Sequence, residues 1–191
     1  MSDRFERVAV RSRAEWREWL ARHHTQAEAV WLVFGRRRDA PDHVPYEDLV
    51  EEALCYGWID STAKSLDDRR SMILMSARKP KSGWAATNKA RVERLEAAGL
   101  MTDAGRAKVD AAKADGSWSA LDAAERLEVP DDLARALKTR ARATFDAWPP
   151  SLRKQAIYWI TQAKRDATRA QRIVEIAEAA ARGERPARWA R

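Results

Sequence analysis

The stretch 54-LCYGWIDSTAKSLDDRR-70 gathers one cysteine, three aspartates and a closing arginine pair, enough to raise the question of an active site. Cys55 is the chain's single cysteine, so it is the one available thiol nucleophile and has no intrachain disulfide partner. Thiol chemistry needs a thiolate, helped by a base or a positive site. His23, His24 and His43 all fall outside a ten-residue window around Cys55. The cysteine also sits at the end of an apolar helical pattern, where the negative end of the helix dipole disfavours a thiolate. Cys55 therefore reads as a buried helix-end residue. Asp67 and Asp68 precede Arg69 and Arg70 and suit a tight turn. The alternating oxygen ligands and closing glutamate of a calcium loop are missing. Asp60 stays a ligand candidate, conditional on the fold bringing it to the basic segment that begins at Arg78.

That segment, 78-RKPKSGWAATNKARVER-94, is the first place to expect binding. Arg78, Lys79 and Lys81 precede a helix start expected near Ser82 or Gly83, where free N–H groups attract anions. Trp84 offers a face for a planar ligand, and Asn88 and Lys89 follow near the same end. The competing reading is a capped helix with a buried tryptophan and solvated lysines. The second place lies near the C-terminus. Arg165, Arg169 and Arg172 are spaced by four and three, so one helical face carries all three if the chain turns smoothly near Asp166. Lys154 and Lys164 flank them. Such a stripe suits phosphate contact, and it suits equally well pairing with Asp166, Glu175 or Glu178.

Charge supports the second place. Residues 1–125 carry 21 Lys/Arg and 21 Asp/Glu, so the whole formal charge of +7 falls on residues 126–191. The partners this implies are nucleic acid, an acidic protein or an anionic surface, with plain solubility as the alternative. No phosphate-binding glycine loop, dinucleotide fingerprint, zinc-protease or serine-hydrolase motif occurs. No catalytic residue, metal or cofactor is expected, and no positive argument for an enzyme emerges. No run approaches the roughly 20 apolar residues of a membrane span. The charged start MSDRFERVAVRSRAEW lacks a secretion signal's apolar run, so the expected location is the cytoplasm. Oligomeric state is not readable.

The elements that must position these residues follow from periodicity and punctuation. Ser12 and Glu15 form a capping-box start, with Trp16, Trp19 and Leu20 on one face. Residues 29–37 read as a strand and 46–57 as a helix stopped by Gly57. Residues 58–64 and 71–77 read as strands joined by a turn, a hairpin to be laid beside the first strand. Helices are expected over 83–98, 103–115, 131–148 (one or two), 151–165 and 168–183. Nine tryptophans mark packing joints. The expected class is α+β: a small antiparallel sheet with flanking helices, followed by a mainly helical C-terminal half. The domains are set at 1–125 and 126–191.

Several blocks of the chain resemble the bacteriocin-protection YdeI/OmpD-associated protein family. They are 54-LCYGWIDSTAKSLDD-68, 78-RKPKSGWAATNKARVERLEAAGLM-101, 130-PDDL-133, Phe145, 149-PPSLRK-154 and 157-IYWITQAKRDATRAQRI-173, within a resemblance running from about residue 14 to 182. The resemblance implies a small α+β first half, a helical OmpD-associated module, and no agreed cofactor or catalytic residue. Its name points to stress and antimicrobial tolerance without describing a reaction. Two departures stand out: Ala77 where a proline precedes Arg78 in the family pattern, and Ala85 where a serine follows Trp84. The expectation is a non-enzymatic binding module for an anionic partner. The alternatives are a small-ligand or enzymatic pocket around Asp60, Arg78, Lys81, Trp84 and Asn88, and a protein–protein adaptor.

Overall fold

The computed structural model describes residues 4–37 and 42–189. The chain divides into two compact units, Met1–Ser119 and Ala120–Arg191.

The first unit is built on a four-stranded sheet in the order β1-β2-β4-β3. Strand β2 (Val30–Gly35) has β-branched and aromatic residues on both faces because it is covered on both. Val30 and Leu32 face one core with Ile73, Met75 and Trp58, while Trp31 and Val33 face a smaller one with Met72. Strands β3 (Trp58–Ser65) and β4 (Arg70–Ala77) form the expected hairpin, and β4 pairs antiparallel with β2. The turn is set by Asp67, whose carboxylate accepts the N–H groups of Arg69 (2.9 Å) and Arg70 (2.7 Å) and the Arg70 guanidinium. These bonds, led by the Arg70 side chain, hold the Asp67 carboxyl down at about 2. The sheet gains one strand the sequence does not announce. The three-residue β1 (Arg7–Ala9) pairs parallel to β2, making the sheet mixed.

Helix α1 (Arg13–His23) starts where Ser12 Oγ accepts the Glu15 N–H at 3.1 Å, and Glu15 reaches back to the Arg11 N–H at 2.8 Å. It packs on α2 (Tyr46–Cys55) through Trp16, whose indole N–H donates to the Leu49 carbonyl at 3.0 Å. Beside it Glu52 is buried between two guanidiniums, with Arg13 Nε and Arg17 Nη1 each at 2.6 Å. Just past the end of α2, Gly57 with a φ of +74° reverses the chain into β3. Helix α3 (Ala86–Ala97) ties back to α2 through Arg91 and Arg94 on Glu47. Helix α4 (Asp103–Ala114) hangs from the end of α2. The Cys55 carbonyl accepts both the Thr102 N–H (3.2 Å) and its hydroxyl (2.6 Å), and a Cβ on Gly105 would stand 2.3 Å from the same oxygen.

The second unit is helical: α5 (Asp122–Glu125), α6 (Asp131–Ala136), α7 (Thr139–Ala147), α8 (Pro150–Thr161) and α9 (Asp166–Arg182). Its core joins Leu133, Phe145, Trp148, Ile157, Ile160, Ile173 and Ile176. Residues 131–148 are two helices, broken where Leu137 leaves helical geometry at ψ 87°. Pro150 opens α8 at a position that needs no N–H, and Gly183 closes α9 with φ +80°. The class is thus α+β. Among the described residues no helix is long and apolar enough to cross a membrane.

Candidate functional site

Arg78 leaves the end of β4 and turns inward: it is 4% exposed, an unusual degree of burial for a cation. Its backbone N–H is fixed to the Gly57 carbonyl at 2.9 Å, next to the left-handed turn that ends α2. The guanidinium lies over Trp84, with its central carbon 3.7 Å from the ring centroid. Nη2 donates to the Gly83 carbonyl at 2.9 Å and reaches the Ser82 carbonyl at 3.5 Å. Nη1 is closed off from solvent and has no hydrogen-bond partner. No carboxylate among the described residues forms an ion pair with Arg78. Burial pushes its pKa down to about 10, opposed by the charge of Asp60.

Arg78 lines a cavity of about 70 Å³, room for a few waters or one compact ion. Lys79, Lys81, Ser82 and Trp84 come from the same segment. Lys108, Ala111, Ala112 and Asp115 come from α4 and its end, with Ser117 just beyond. Lys81 adopts φ +61°, a left-handed conformation that turns the chain back around Arg78. The Ser117 hydroxyl is buried without a partner of hydrogen-bonding geometry. It lies close enough to Asp115 to lower that carboxyl's pKa, helped by the Ser117 N–H at 2.9 Å and by Lys81. The lining therefore holds four cations against one carboxylate, with two buried polar groups unsatisfied.

The structure brings together Arg78, Lys79, Lys81, Ser82 and Trp84 and leaves Asp60, Asn88 and Lys89 outside the cavity wall. Asp60 accepts the Tyr46 hydroxyl at 2.8 Å and influences Arg78 through its charge alone. Asn88 is buried under Arg91, accepting its Nη1 at 2.7 Å. The Lys89 ammonium sits 5.3 Å from the Trp118 ring centroid. Two expectations need correction. The helix does not start at Ser82 or Gly83: Ser82 Oγ donates to the Lys79 carbonyl, and α3 starts at Ala86 after Ala85, which is extended. Trp84 offers no face to a planar ligand, because it is 2% exposed and packed between Arg78 and Trp118, the latter with ring centroids 4.9 Å away. Lys108, Asp115 and Ser117 were not anticipated. Their one sequence signal is the spacing of Lys108, Ala111, Ala112 and Asp115 along a single helical row, two small residues between two charges.

Cys55 is fully buried, and burial raises its thiol to about 11, with Glu52 adding to the effect. It packs with Trp84, Val92, Leu95 and Met101. Among the described residues no cluster of His, Cys, Asp and Glu is arranged to hold a metal.

The C-terminal basic stripe is drawn largely inward. Arg169 grips Asp132 with Nε at 2.6 Å and Nη2 at 3.0 Å, pinning α9 to α6. Arg172 donates to the Trp159 carbonyl and lies 5.0 Å from its ring centroid. Lys154 pairs with Glu125. Arg165 is the extended residue before α9, so it does not continue the helical face of Arg169 and Arg172. Lys164 and Arg165 remain exposed. The expected partners Asp166, Glu175 and Glu178 are replaced by Asp132, which lies 37 residues away in sequence.

Two family models match the chain. Residues 8–108 match a domain of unknown function, DUF8412. Residues 126–183 match the bacteriocin-protection, YdeI or OmpD-associated model. No curated protein and no solved structure matches.

Proposed function

The chain belongs to the DUF8412 family and carries a bacteriocin-protection, YdeI or OmpD-associated domain after it, and from that premise we propose that it is a binding protein for a small anion, held in its first unit at the Arg78 cavity. The observation that carries the reading is the buried Arg78 Nη1 with no partner. A guanidinium stripped of water normally meets a carboxylate or a full set of acceptors, because an unpaired buried charge costs several kcal/mol. Arg78 has two carbonyls on Nη2 and nothing on Nη1. An anion that reached Nη1 from the cavity would complete that set, and Lys79, Lys81 and Lys108 would raise its local concentration.

This reading favours the smaller of the two basic regions over the C-terminal stripe. Three of the stripe's five cations, Lys154, Arg169 and Arg172, are engaged inside their own unit. The test is thermal unfolding of the full chain against inorganic phosphate, sulfate, citrate and acetate at constant ionic strength. At least one anion is expected to raise the melting temperature saturably, and Arg78→Met is expected to abolish that rise. No saturable shift with any of the four, or an undiminished shift in Arg78→Met, overturns the reading.

A further inference from the structure

Resting on the reading that the Arg78 cavity holds an anion, we infer that its ligand is a compact tetrahedral oxyanion carrying more than one negative charge: phosphate, free or as the head of a phosphomonoester.

The first argument is the geometry of the free donor. A carboxylate is usually gripped by two parallel N–H bonds from one edge of a guanidinium. Arg78 Nη2, which belongs to both edges that could be used with a second nitrogen, is already committed to Gly83 O and Ser82 O. Of the two terminal nitrogens Nη1 alone remains, which offers single contacts in place of a two-point grip through Nη2. The other cations are lysines, compact point charges without a planar fork. One guanidinium end and several ammoniums arranged around a small volume suit oxygens pointing in several directions.

The second argument is charge. Arg78, Lys79, Lys81 and Lys108 face Asp115 alone, an excess of three positive charges around the cavity. Asp115 is the one wall group that opposes an anion, and its charge is partly offset by the Ser117 side chain and N–H and by Lys81. A monocarboxylate would leave most of the excess uncompensated, whereas a phosphate near −2 offsets most of it.

The third argument is what the lining lacks. Trp84 is 2% exposed, with the Arg78 guanidinium over its ring and Trp118 beside it, so little aromatic surface is left for a base or ring. Recognition is confined to the charged head within about 70 Å³. Lys79 and Lys81 are exposed, so the side that must yield to admit the head is made of flexible side chains.

Isothermal titration of the full chain with inorganic phosphate, glycerol phosphate and acetate, at mildly alkaline pH and fixed ionic strength, tests this. Phosphate or glycerol phosphate is expected to bind at least about tenfold more tightly than acetate. Tighter binding of the ester identifies a phosphomonoester head as the source, and tighter binding of inorganic phosphate identifies the free ion. Acetate binding as tightly as both would overturn this inference and leave the anion site standing. No binding of any of the three would overturn both. Lys108→Met keeps the side-chain stem against Gly57 and removes a charge on the opposite wall from Arg78. It is expected to weaken phosphate several-fold with the melting temperature of the free protein unchanged, and undiminished affinity counts against the inference.

Discussion

The guanidinium of Arg78 stacks on Trp84 at 3.7 Å from the ring centroid, and this contact substitutes for the carboxylate that a buried arginine ordinarily has. A ring face stabilises a desolvated cation by about 2 kcal/mol, less than burial of the charge costs. The remainder is offset by packing elsewhere in the unit or by a ligand. That imbalance makes Arg78 the position where stability and binding separate.

Arg78→Met should therefore leave the free protein within about 1 kcal/mol of the parent in urea unfolding. Removal of an unpaired buried charge offsets the lost ring contact and the freed Gly83 carbonyl. A loss of about 3 kcal/mol or more would mark Arg78 as a structural residue whose bonds are already complete.

Glu52 presents the opposite case. Its carboxylate is 3% exposed and bound by Arg13 and Arg17, each about one-third exposed. Glu52→Ala strands two guanidiniums that still reach water, so the loss should fall near the low end for a broken buried pair, about 3 kcal/mol. Equilibrium urea unfolding measures it, and a loss below about 1 kcal/mol contradicts the assignment.

Gly105→Ala should destabilise the first unit even though alanine is the better helix former by about 1 kcal/mol. The added Cβ meets the Cys55 carbonyl at 2.3 Å, a backbone atom that cannot swing away. Overpacking of this kind costs about 1–3 kcal/mol, enough to reverse the propensity gain. The melting temperature of Gly105→Ala should fall, and a rise would show that α4 is free to shift.

Asp67 gives a pH signature. Its folded carboxyl is depressed to about 2 from an ordinary 3.8, chiefly by Arg70. A depressed acid stabilises the fold fully above its unfolded value and stops doing so as pH falls through its folded value. The stability advantage of the parent over Asp67→Ala should be constant above about pH 5 and shrink from there towards about pH 2. An advantage that does not change over that range would mean that the turn does not depend on the ionised carboxylate.

Arg169→Met should loosen the second unit without changing its affinity for mixed single-stranded DNA at low salt. The residue ties α9 to Asp132 on α6, and neither partner is more than about one-third exposed. Screening at that exposure keeps the loss near 1 kcal/mol. Weakened DNA binding with unchanged stability would reverse the assignment.

Local punctuation made much of the fold readable. Ser12 with Glu15, Gly57, Gly183 and the Pro149–Pro150 pair each stand where the chain changes state, and the apolar run of residues 29–35 is a strand covered on both faces. Strand β1 escaped because three residues show no periodicity; they are held by pairing with β2 and by the burial of Val8. The start of α3 was misplaced because Ser82 looks like a cap, while its hydroxyl serves the Lys79 carbonyl in a turn made by Lys81. The cavity was half visible. One wall is the continuous segment from Arg78 to Trp84. The other arrives through α4, about 30 residues on, and no local pattern in the first segment points to it. The basic stripe misled for the same reason: Asp132, the residue that claims Arg169, is distant in sequence.

The single carbonyl of Cys55 has a wider effect than its place at a helix end suggests. Thr102 clasps it with two hydrogen bonds and Gly105 rides against it, so the start of α4 is an arm fixed at that atom. The arm carries Lys108, Ala111 and Ala112 to the cavity, with Asp115 just past its end, while Arg78 is anchored separately through Gly57. Grip and selectivity thus sit on different segments that meet at Gly57. Exchanging side chains along one face of the arm would retune which anion is admitted, with the arginine that holds it untouched.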